Sequence, residues 1–399
     1  MELDDPPTME ELNAAIDQLR TGKAAGNDGI CPELLKCGKP ALMSHLHKLL
    51  CLCWEKGEVP QDMRDANIIT LYKNKGDRSD TNNYRGISLL SIVGKAYARV
   101  VLKRLQVLAS RVYPESQCGF RADRSTIDMV FCVRQLQEKC REQRMPLFMA
   151  FVDLTKAFDL VSRHGLFALL ERIGCPPKLL GVIRSFHTNM KGTIQFNGSS
   201  SDAFEMNSGV KQGCVLAPTL FGIFFSLLLR SAFLDCPEGV LLHSRSDGSL
   251  FDVRRLKAKT KIHDVTVREM LFADDAALVS HSEAGLQHLV NCFASACDAF
   301  GLTISVKKTE VMAQGTDSPP SISIGENTLV NVSQFTNLGS TISSNLSLDA
   351  EMNRRIGRAA GTMSKLKKRV WDNKMLTLKT KMSIYQACVL STLLYGSET

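Results

Sequence analysis

The sequence has no cysteine pair of the CxxC kind, although it contains thirteen cysteines among 399 residues. The closest pair, Cys51 and Cys53, has no histidines at zinc-finger spacing nearby. A zinc finger that could be read directly from cysteine spacing is therefore disfavoured. We expect reduced thiols that serve mostly as structural residues.

A targeting leader and a clear membrane span are also missing. The first residues, MELDDPPTMEELN, are acidic and have neither the apolar core of a secretory signal nor the arginines of a transit peptide. The longest uncharged stretch, residues 212–229, is interrupted by glycine, proline and serine, which disfavours a membrane-spanning interpretation. We expect a protein of the cytoplasm or nucleus with no membrane partner.

Excess acidic charge is absent, and the formal net charge is +8. Residues 351–381 carry ten Lys and Arg against two acids, so this window alone accounts for +8 (10 − 2). A basic excess confined to one segment is what contact with a phosphate backbone requires. A solvated helix face is the alternative interpretation.

Length and composition predict a large, folded core, since 44% of the residues are apolar. No repeat or low-complexity linker appears, so subdomains should be interleaved along the chain. Periodicity and turn residues predict a helix at 9–20 capped by Thr8, a strand at 66–72, a basic loop at 73–85, a helix at 87–109, a strand at 147–152, a hairpin at 270–280 and a helix at 283–300. This order predicts a mixed α+β fold with antiparallel strands.

Three aspartates are the first candidates for chemistry. Asp274 and Asp275 lie side by side between two apolar arms, and Asp153 follows the apolar strand LFMAFV. Adjacent carboxylates repel each other unless a cation offsets their charge, and Mg²⁺ prefers such oxygen ligands. The sequence therefore predicts a two-metal phosphoryl-transfer site. A surface turn at Asp274 and Asp275 and a helix cap at Asp153 are the alternatives.

The surroundings of these aspartates resemble one family, the reverse transcriptases of non-LTR retrotransposons. The stretches that resemble its motifs A, B, C and D and its primer grip are residues 151–159, 208–218, 272–275, 301–309 and 335–340. Further stretches that resemble the N-terminal motif, the fingers and the C-terminal segment are residues 23–30, 73–77, 83–88, 117–121 and 394–399. The resemblance covers nearly the whole chain, and ordered motifs are far more specific than a lone FADD.

This resemblance implies an α+β right-hand polymerase. The implied divisions are an N-terminal helical extension at 1–22, fingers at 23–145, a palm at 146–345 and an incomplete thumb at 346–399. The implied activity is RNA-directed DNA polymerase, which transfers nucleotides from dNTPs to a primer 3′-hydroxyl on an RNA template. Two Mg²⁺ ions, for which Mn²⁺ could substitute, would be bridged by Asp153 and Asp274, with Asp275 binding or tuning one of them.

Other residues acquire roles from the same resemblance. Arg85 and Lys73, with Lys75, would neutralise the triphosphate, although a solvated charge run is the alternative. Phe158 would exclude a 2′-hydroxyl, unless it is an ordinary core phenylalanine. The pair Gln212 and Gly213 would support the template base and the nucleotide, with glycine permitting close backbone approach.

Two further roles concern the leaving group and the primer. Lys308 would protonate the departing pyrophosphate, and Lys307 competes for this role. Leu338 and Gly339 would form the primer grip, where Asn337 departs from the aromatic residue of many relatives and could weaken the grip.

Two other functions compete with the polymerase. One is a catalytically inactive, nucleic-acid-binding remnant of a mobile element, and the other is a two-metal nuclease. The nuclease is disfavoured because hydrolysis does not require Phe158 or the turn at Gln212 and Gly213. We also expect the endonuclease and the nucleic-acid-binding tail of such elements to lie outside this sequence.

Overall fold

The computed structural model describes residues 3–74, 76–211, 213–245 and 262–399. Within them the chain forms fourteen α-helices and sixteen strands, so the predicted α+β class is confirmed. The helices are α1 Met9–Asp17, α2 Pro32–Cys37, α3 Lys39–Lys56, α4 Gln61–Arg64, α5 Ile92–Val112, α6 Thr126–Glu142, α7 Ala157–Leu160, α8 Arg163–Arg172, α9 Pro177–Ser185, α10 Ala217–Ala232, α11 Glu283–Phe300, α12 Asp349–Lys365, α13 Leu378–Ile384 and α14 Ser391–Leu394. The strands are β1 Ala66–Tyr72, β2 Tyr84–Leu89, β3 Leu147–Val152, β4 Lys191–Phe196, β5 Ser199–Ser200, β6 Phe204–Glu205, β7 Val240–Arg245, β8 Ile262–Val267, β9 Glu269–Phe272, β10 Asp275–Ser280, β11 Glu310–Gln314, β12 Ser323–Ile324, β13 Asn327–Thr328, β14 Val330–Asn331, β15 Gln334–Asn337 and β16 Ser340–Ser343.

The chain divides into two compact units, each built from three separate segments. Unit 1 comprises Met1–Pro114, Thr155–Ser231 and Ala296–Thr303. Unit 2 comprises Glu115–Leu154, Ala232–Ser295 and Ile304–Thr399. The units are thus interleaved along the sequence. The predicted boundaries of fingers, palm and thumb stay a prediction.

Unit 1 contains a five-stranded sheet in which β1 is central. Strand β1 pairs antiparallel with β2 and parallel with β4, and β4 pairs with β5 and β6. The apolar helix α10 is buried along most of its length, which explains its uncharged sequence. Helix α1 begins at the predicted cap, where Thr8 and Glu11 form a capping box.

Unit 2 is built around β3, which is the middle strand of the sheet β14-β11-β3-β10-β9. All six residues of β3 are buried, as expected for a strand covered on both faces. Leu147, Met149 and Phe151 pack in one cluster with apolar residues of α6 and of the β9–β10 hairpin. This packing fixes the position at which β3 ends.

Two of the predicted elements need correction. The predicted helix at 87–109 begins instead at Ile92, with Ser91 as its N-cap, and ends at Val112. The predicted basic loop ends before Tyr84, because residues Tyr84–Leu89 form strand β2. Arg85 therefore lies in a strand and faces Leu71 across the β1–β2 ladder. Pairing with β1 decides this outcome, and local periodicity does not reveal a distant partner strand.

The other predicted elements are confirmed with small changes at their ends. Strand β1 and strand β3 have the predicted bounds, and the predicted hairpin is the pair β9–β10. The predicted helix at 283–300 is α11, followed by Gly301 with φ +75°, as expected for a glycine that ends a helix. Among the described residues, none of the helices is both long and apolar enough to cross a bilayer.

Candidate active site

The register of two antiparallel strands brings the predicted carboxylates together in unit 2. Val152 of β3 pairs with Ala276 of β10. The residue after Val152, Asp153, therefore lies opposite the residue before Ala276, Asp275, and residues opposite each other share one face of the sheet. Asp274 occupies the hairpin loop directly before Asp275. All three predicted carboxylates thus meet at one end of the sheet.

The loop that carries Asp274 is a tight turn held by a buried glutamine. Phe272 pairs with Asp275, so the loop consists of Ala273 and Asp274, and Ala273 has φ +57°. Positive φ is characteristic of two-residue hairpin loops but is unfavourable for alanine. The fully buried Gln117 accepts a hydrogen bond from the Ala273 N–H (3.0 Å) and donates one to the Ala273 carbonyl (3.4 Å). Gln117 therefore fixes the tip of the hairpin.

Gly119 completes this support. Its N–H donates to Gln117 Oε1 (2.7 Å), and a Cβ at this position would overlap the backbone nitrogen of Ala273. Residues 117–121 resemble part of the fingers, and that resemblance does not predict this contact with the hairpin. A glutamine two residues before a glycine is the only local sign of this role. The residue that Gln117 contacts, Ala273, lies 156 positions further along the chain.

A lysine partly offsets the charge of the carboxylates. Lys308 Nζ donates to Asp153 Oδ1 at 3.0 Å, and both side chains remain partly exposed. Desolvation raises the pKa of Asp275 to about 6, the neighbouring charges of Asp274 and Asp153 add to the rise, and Lys308 opposes it. Asp275 also keeps an exposed surface, so water screens part of this effect. The site has the negative potential that a cation would relieve.

A cavity of about 180 Å³ opens beside these carboxylates. Its lining includes Asp153, Asp275, Lys308, Asn337 and Leu338. Asn337 is buried, and its amide nitrogen has no hydrogen-bond partner among the described residues. An unpaired buried amide is costly, so this group is available to a ligand in the cavity. The residue that departs from the family pattern is thus part of the site.

The predicted primer grip is a second tight hairpin, formed by β15 and β16. Asn337 pairs with Ser340, and the loop residues Leu338 and Gly339 have φ +47° and +89°. Both positive angles match a type I′ turn. Tyr395 donates from its hydroxyl to the Leu338 carbonyl (2.8 Å), and Arg358 donates to the Gly339 carbonyl (3.2 Å). The C-terminal helical segment therefore holds this loop.

The predicted nucleotide contacts lie in unit 1. Arg85 is exposed on β2, and Lys73 follows β1 and donates from Nζ to the Asn82 carbonyl at 2.8 Å. Lys75 and Gln212 lie outside the described residues. An open cavity of about 900 Å³ also lies in this unit, lined by β1, β2 and the β4–β5 turn, and its lining among the described residues includes neither Lys73 nor Arg85.

Phe158 and Gly213 have defined neighbours within unit 1. Phe158 is half-buried and stacks on Phe221 of α10 with ring centroids 4.5 Å apart. Gly213 has φ +100°, and a Cβ there would lie 3.2 Å from the Ser88 carbonyl oxygen of β2. The glycine therefore permits close approach of its backbone to β2.

The family model described as "Reverse transcriptase (RNA-dependent DNA polymerase)" matches residues 72–342, which is more than half of the chain. The chain belongs to the reverse transcriptase family. The match includes every predicted site residue, from Lys73 to Gly339. It confirms the predicted polymerase fold, while the roles of the individual residues stay predictions.

Similar curated proteins are reverse transcriptases of mobile elements. A "Probable RNA-directed DNA polymerase from transposon BS" of Drosophila melanogaster is 26% identical over 98% of this chain and 42% of that protein. The "RNA-directed DNA polymerase from mobile element jockey" of the same organism is 25% identical over 98% of this chain and 41% of that protein. The chain therefore spans about two fifths of the length of these relatives. Their names confirm the predicted resemblance to non-LTR retrotransposon polymerases.

Solved structures give a weaker likeness. A telomerase from Candida albicans covers 92% of this chain and 58% of its own length, with a TM-score of 0.47 and 14% identity. Members of the family generally depend on divalent metal ions.

Proposed function

We propose that this chain carries out RNA-directed DNA synthesis for a non-LTR retrotransposon, adding nucleotides from dNTPs to a DNA primer on an RNA template. The observation that carries this proposal is the convergence of Asp153, Asp274 and Asp275 at one end of a buried sheet. The family match supports it, because it spans all three residues. The thirteen cysteines are free thiols, which suits the reducing cytoplasm or nucleus.

Two Mg²⁺ ions, with Mn²⁺ as a possible substitute, would be held by the three carboxylates. The donor set fits, because these are hard oxygen ligands, and burial together with their mutual repulsion raises the pKa of Asp275. When bound, such ions lower the pKa of the attacking hydroxyl and neutralise the departing pyrophosphate. Asp153 and Asp274 would be the principal ligands of these ions, and Asp275 would bind or tune one of them.

Lys308 is the proposed general acid for the pyrophosphate. Its ion pair with Asp153 is partly exposed, so breaking it costs little. The ammonium group can therefore leave the carboxylate and donate a proton to the leaving group. The contact with Asp153 favours Lys308 over Lys307.

The nucleotide and primer contacts are proposed from the family motifs. Lys73 and Arg85 would bind the triphosphate, Gln212 and Gly213 would support the base, and Phe158 would exclude the 2′-hydroxyl. Stacking on Phe221 supports this last role, because it holds the Phe158 ring in place.

The primer end would meet the loop of Leu338 and Gly339. Both residues have fixed positive φ angles, and the loop is tied to Tyr395 and Arg358. The unpaired amide of Asn337 would donate a hydrogen bond to the primer or to its RNA partner. A polar donor would thus replace the aromatic residue of many relatives.

Primer extension on poly(rA)/oligo(dT) with Mg²⁺ tests this function. The variants are Asp274→Ala and the isosteric Asp153→Asn, and Asp317→Asn, an exposed aspartate of unit 2, is the matched control. We expect extension with dTTP to fall roughly 10³-fold in both site variants, because metal ions supply several kcal/mol of transition-state stabilisation. The control should retain activity, and removal of Mg²⁺ should abolish it.

The choice between UTP and dTTP tests whether Phe158 excludes the 2′-hydroxyl or is only a core residue. With Phe158→Val, we expect UTP incorporation to rise relative to dTTP. A parallel loss of both activities, with lower stability, would indicate a core residue instead. If the folded wild-type chain binds the duplex but adds no nucleotide, the inactive-remnant alternative replaces the polymerase.

A further inference from the structure

Unit 2 contains a cluster of sulfur and nitrogen donors that the proposed chemistry does not use. It consists of Cys236, His288 and Cys292, whose ligand atoms lie within 4.8 Å of one another. Cys236 Sγ is 3.5 Å from Cys292 Sγ, and Cys292 Sγ is 3.5 Å from His288 Nε2. Cys236 is buried, Cys292 is half-buried and His288 is exposed, so the cluster can be reached from solvent.

Two elements bring these donors together. His288 and Cys292 are four residues apart on α11, and this spacing places them on one face of the helix. Cys236 lies between α10 and β7, in a segment fixed by Arg268, which donates to the carbonyls of Phe233 (3.3 Å) and Glu238 (3.1 Å). The donors are therefore held by packed backbone on both sides.

Glu238 orients the imidazole. Its Oε1 lies 2.8 Å from His288 Nδ1, which leaves Nε2 directed toward the cysteine sulfur. Histidines that bind metals usually donate their second ring N–H to a carboxylate, which fixes the tautomer. The other oxygen, Glu238 Oε2, is buried with no partner among the described residues. A carboxylate so placed would be compensated by a cation at the cluster.

We propose that Cys236, His288 and Cys292 bind a Zn²⁺ ion, with Glu238 as the hydrogen-bond partner of His288. Thiolate and imidazole ligands select zinc over Mg²⁺. Zinc–sulfur bonds of about 2.3 Å in a tetrahedron put two sulfurs roughly 3.8 Å apart, close to the observed separation. The three side chains need little rearrangement, and water would complete the tetrahedron.

This ion would link two elements of unit 2. It would connect the segment before β7 to α11, and Val240 at the start of β7 packs in the same core as Met270 and Ala277 of the carboxylate hairpin. Both thiols must lose their protons to bind the ion, so Zn²⁺ affinity should tighten as pH rises. The site is separate from the oxygen ligands of the proposed polymerase centre.

Metal titration of the reduced full chain tests the proposal. The chain is stripped of metal and titrated with Zn²⁺ and with Co²⁺, and thiolate-to-cobalt charge-transfer absorption is recorded. We expect one Zn²⁺ per chain, loss of the charge-transfer band and of most Zn²⁺ affinity in Cys292→Ser, and affinity about 10–100-fold weaker in Glu238→Gln. Cys297→Ser, a buried cysteine of the same helix outside the cluster, should bind as wild type.

Two results would overturn the site. One is a reduced wild-type chain that binds no Zn²⁺. The other is Zn²⁺ affinity that is unchanged in Glu238→Gln and Cys292→Ser. Glu238→Gln leaves all three ligands in place. Its Zn²⁺ affinity therefore tests the site even if Cys292→Ser folds poorly. Asp153→Asn should keep its Zn²⁺ while losing primer extension, which separates this site from the polymerase centre.

Discussion

Gln117 is the side chain that most directly fixes the carboxylate hairpin. It is fully buried, and it binds both backbone polar groups of Ala273, the residue with φ +57° at the turn. A strained turn persists only where its surroundings hold it in place. A small shift of this turn would move Asp274 and Asp275, and misplacement of a catalytic group by about 1 Å can cost 10²-fold in rate.

Gln117→Leu should therefore lower kcat for primer extension about 10–100-fold, with little change in KM for dTTP. It should also lower the free energy of unfolding by about 2–3 kcal/mol, because the buried Ala273 N–H loses its acceptor. Gln137→Leu is the control, since Gln137 is a buried glutamine of α6 that donates to the Ser343 carbonyl. The control should lose stability alone. Equal kcat values for the two variants would argue against a positioning role.

At the scale of elements, α1 and α5 are joined by a buried ion pair. Arg104 Nη2 lies 2.7 Å from Glu11 Oε2, and its guanidinium stacks over Trp54 at 4.6 Å. Glu11 also completes the capping box of α1 with Thr8. Desolvation opposes ionisation, yet the hydrogen bonds from Arg104 and the Thr8 N–H lower the pKa of Glu11. The Glu11 carboxylate therefore caps α1 and also joins α1 to α5.

Glu11→Ala should destabilise the chain by about 3–5 kcal/mol, because it leaves the buried Arg104 with backbone carbonyls but without a carboxylate to compensate its charge. Thr8→Ala, which removes only the cap, should cost about 1 kcal/mol. A lowered folded-state pKa means that this stabilisation is present above pH 4.5 and lost as pH falls below it. Urea titrations at pH 7 and pH 4 should show a smaller Glu11→Ala effect at the lower pH. If Glu11→Ala lowers the free energy of unfolding by the same amount at both pH values, the ion-pair explanation is refuted.

For most elements near the site, the local sequence pattern was enough to predict the secondary structure. Strand β3, the β9–β10 hairpin and α11 were predicted from apolar runs, a two-residue turn and helical spacing. Strand β2 was missed, because Tyr84–Leu89 owes its conformation to pairing with β1. In the basic window, Val370 is buried while Ile356 and Met363 are exposed, and local pattern does not distinguish them.

At the scale of the whole molecule, the basic window separates into two groups. Three of its arginines bind within unit 2: Arg355 pairs with Glu351, Arg358 binds the Gly339 carbonyl, and Arg354 binds Thr336. The other exposed cations of the window are Lys365, Lys367, Lys368, Arg369, Lys374 and Lys379. The first group holds the primer-grip hairpin, and the second remains available for a phosphate backbone.

Replacing Lys367, Lys368 and Arg369 together by Gln should weaken duplex binding and reduce its salt dependence. The slope of log K against log salt should fall by roughly 1 for each phosphate that the variant no longer neutralises. The control replaces three exposed lysines of unit 1, Lys48, Lys56 and Lys178, by Gln, with the same change in net charge. Fluorescence anisotropy over a range of salt concentrations measures the duplex affinity of both variants. Equal slopes would show that the window is only a solvated helix face.

The sequence alone determined the carboxylates, the elements that carry them and the family, because these depend on neighbouring residues. A buried strand, a tight turn and an amphipathic helix each have a signature within a few positions. Only the tertiary structure decided that Gln117 supports Ala273, that Lys308 pairs with Asp153, and that Cys236 meets His288 and Cys292. Each of these contacts joins residues that are distant along the chain, where the folded backbone rather than local pattern sets which side chains meet.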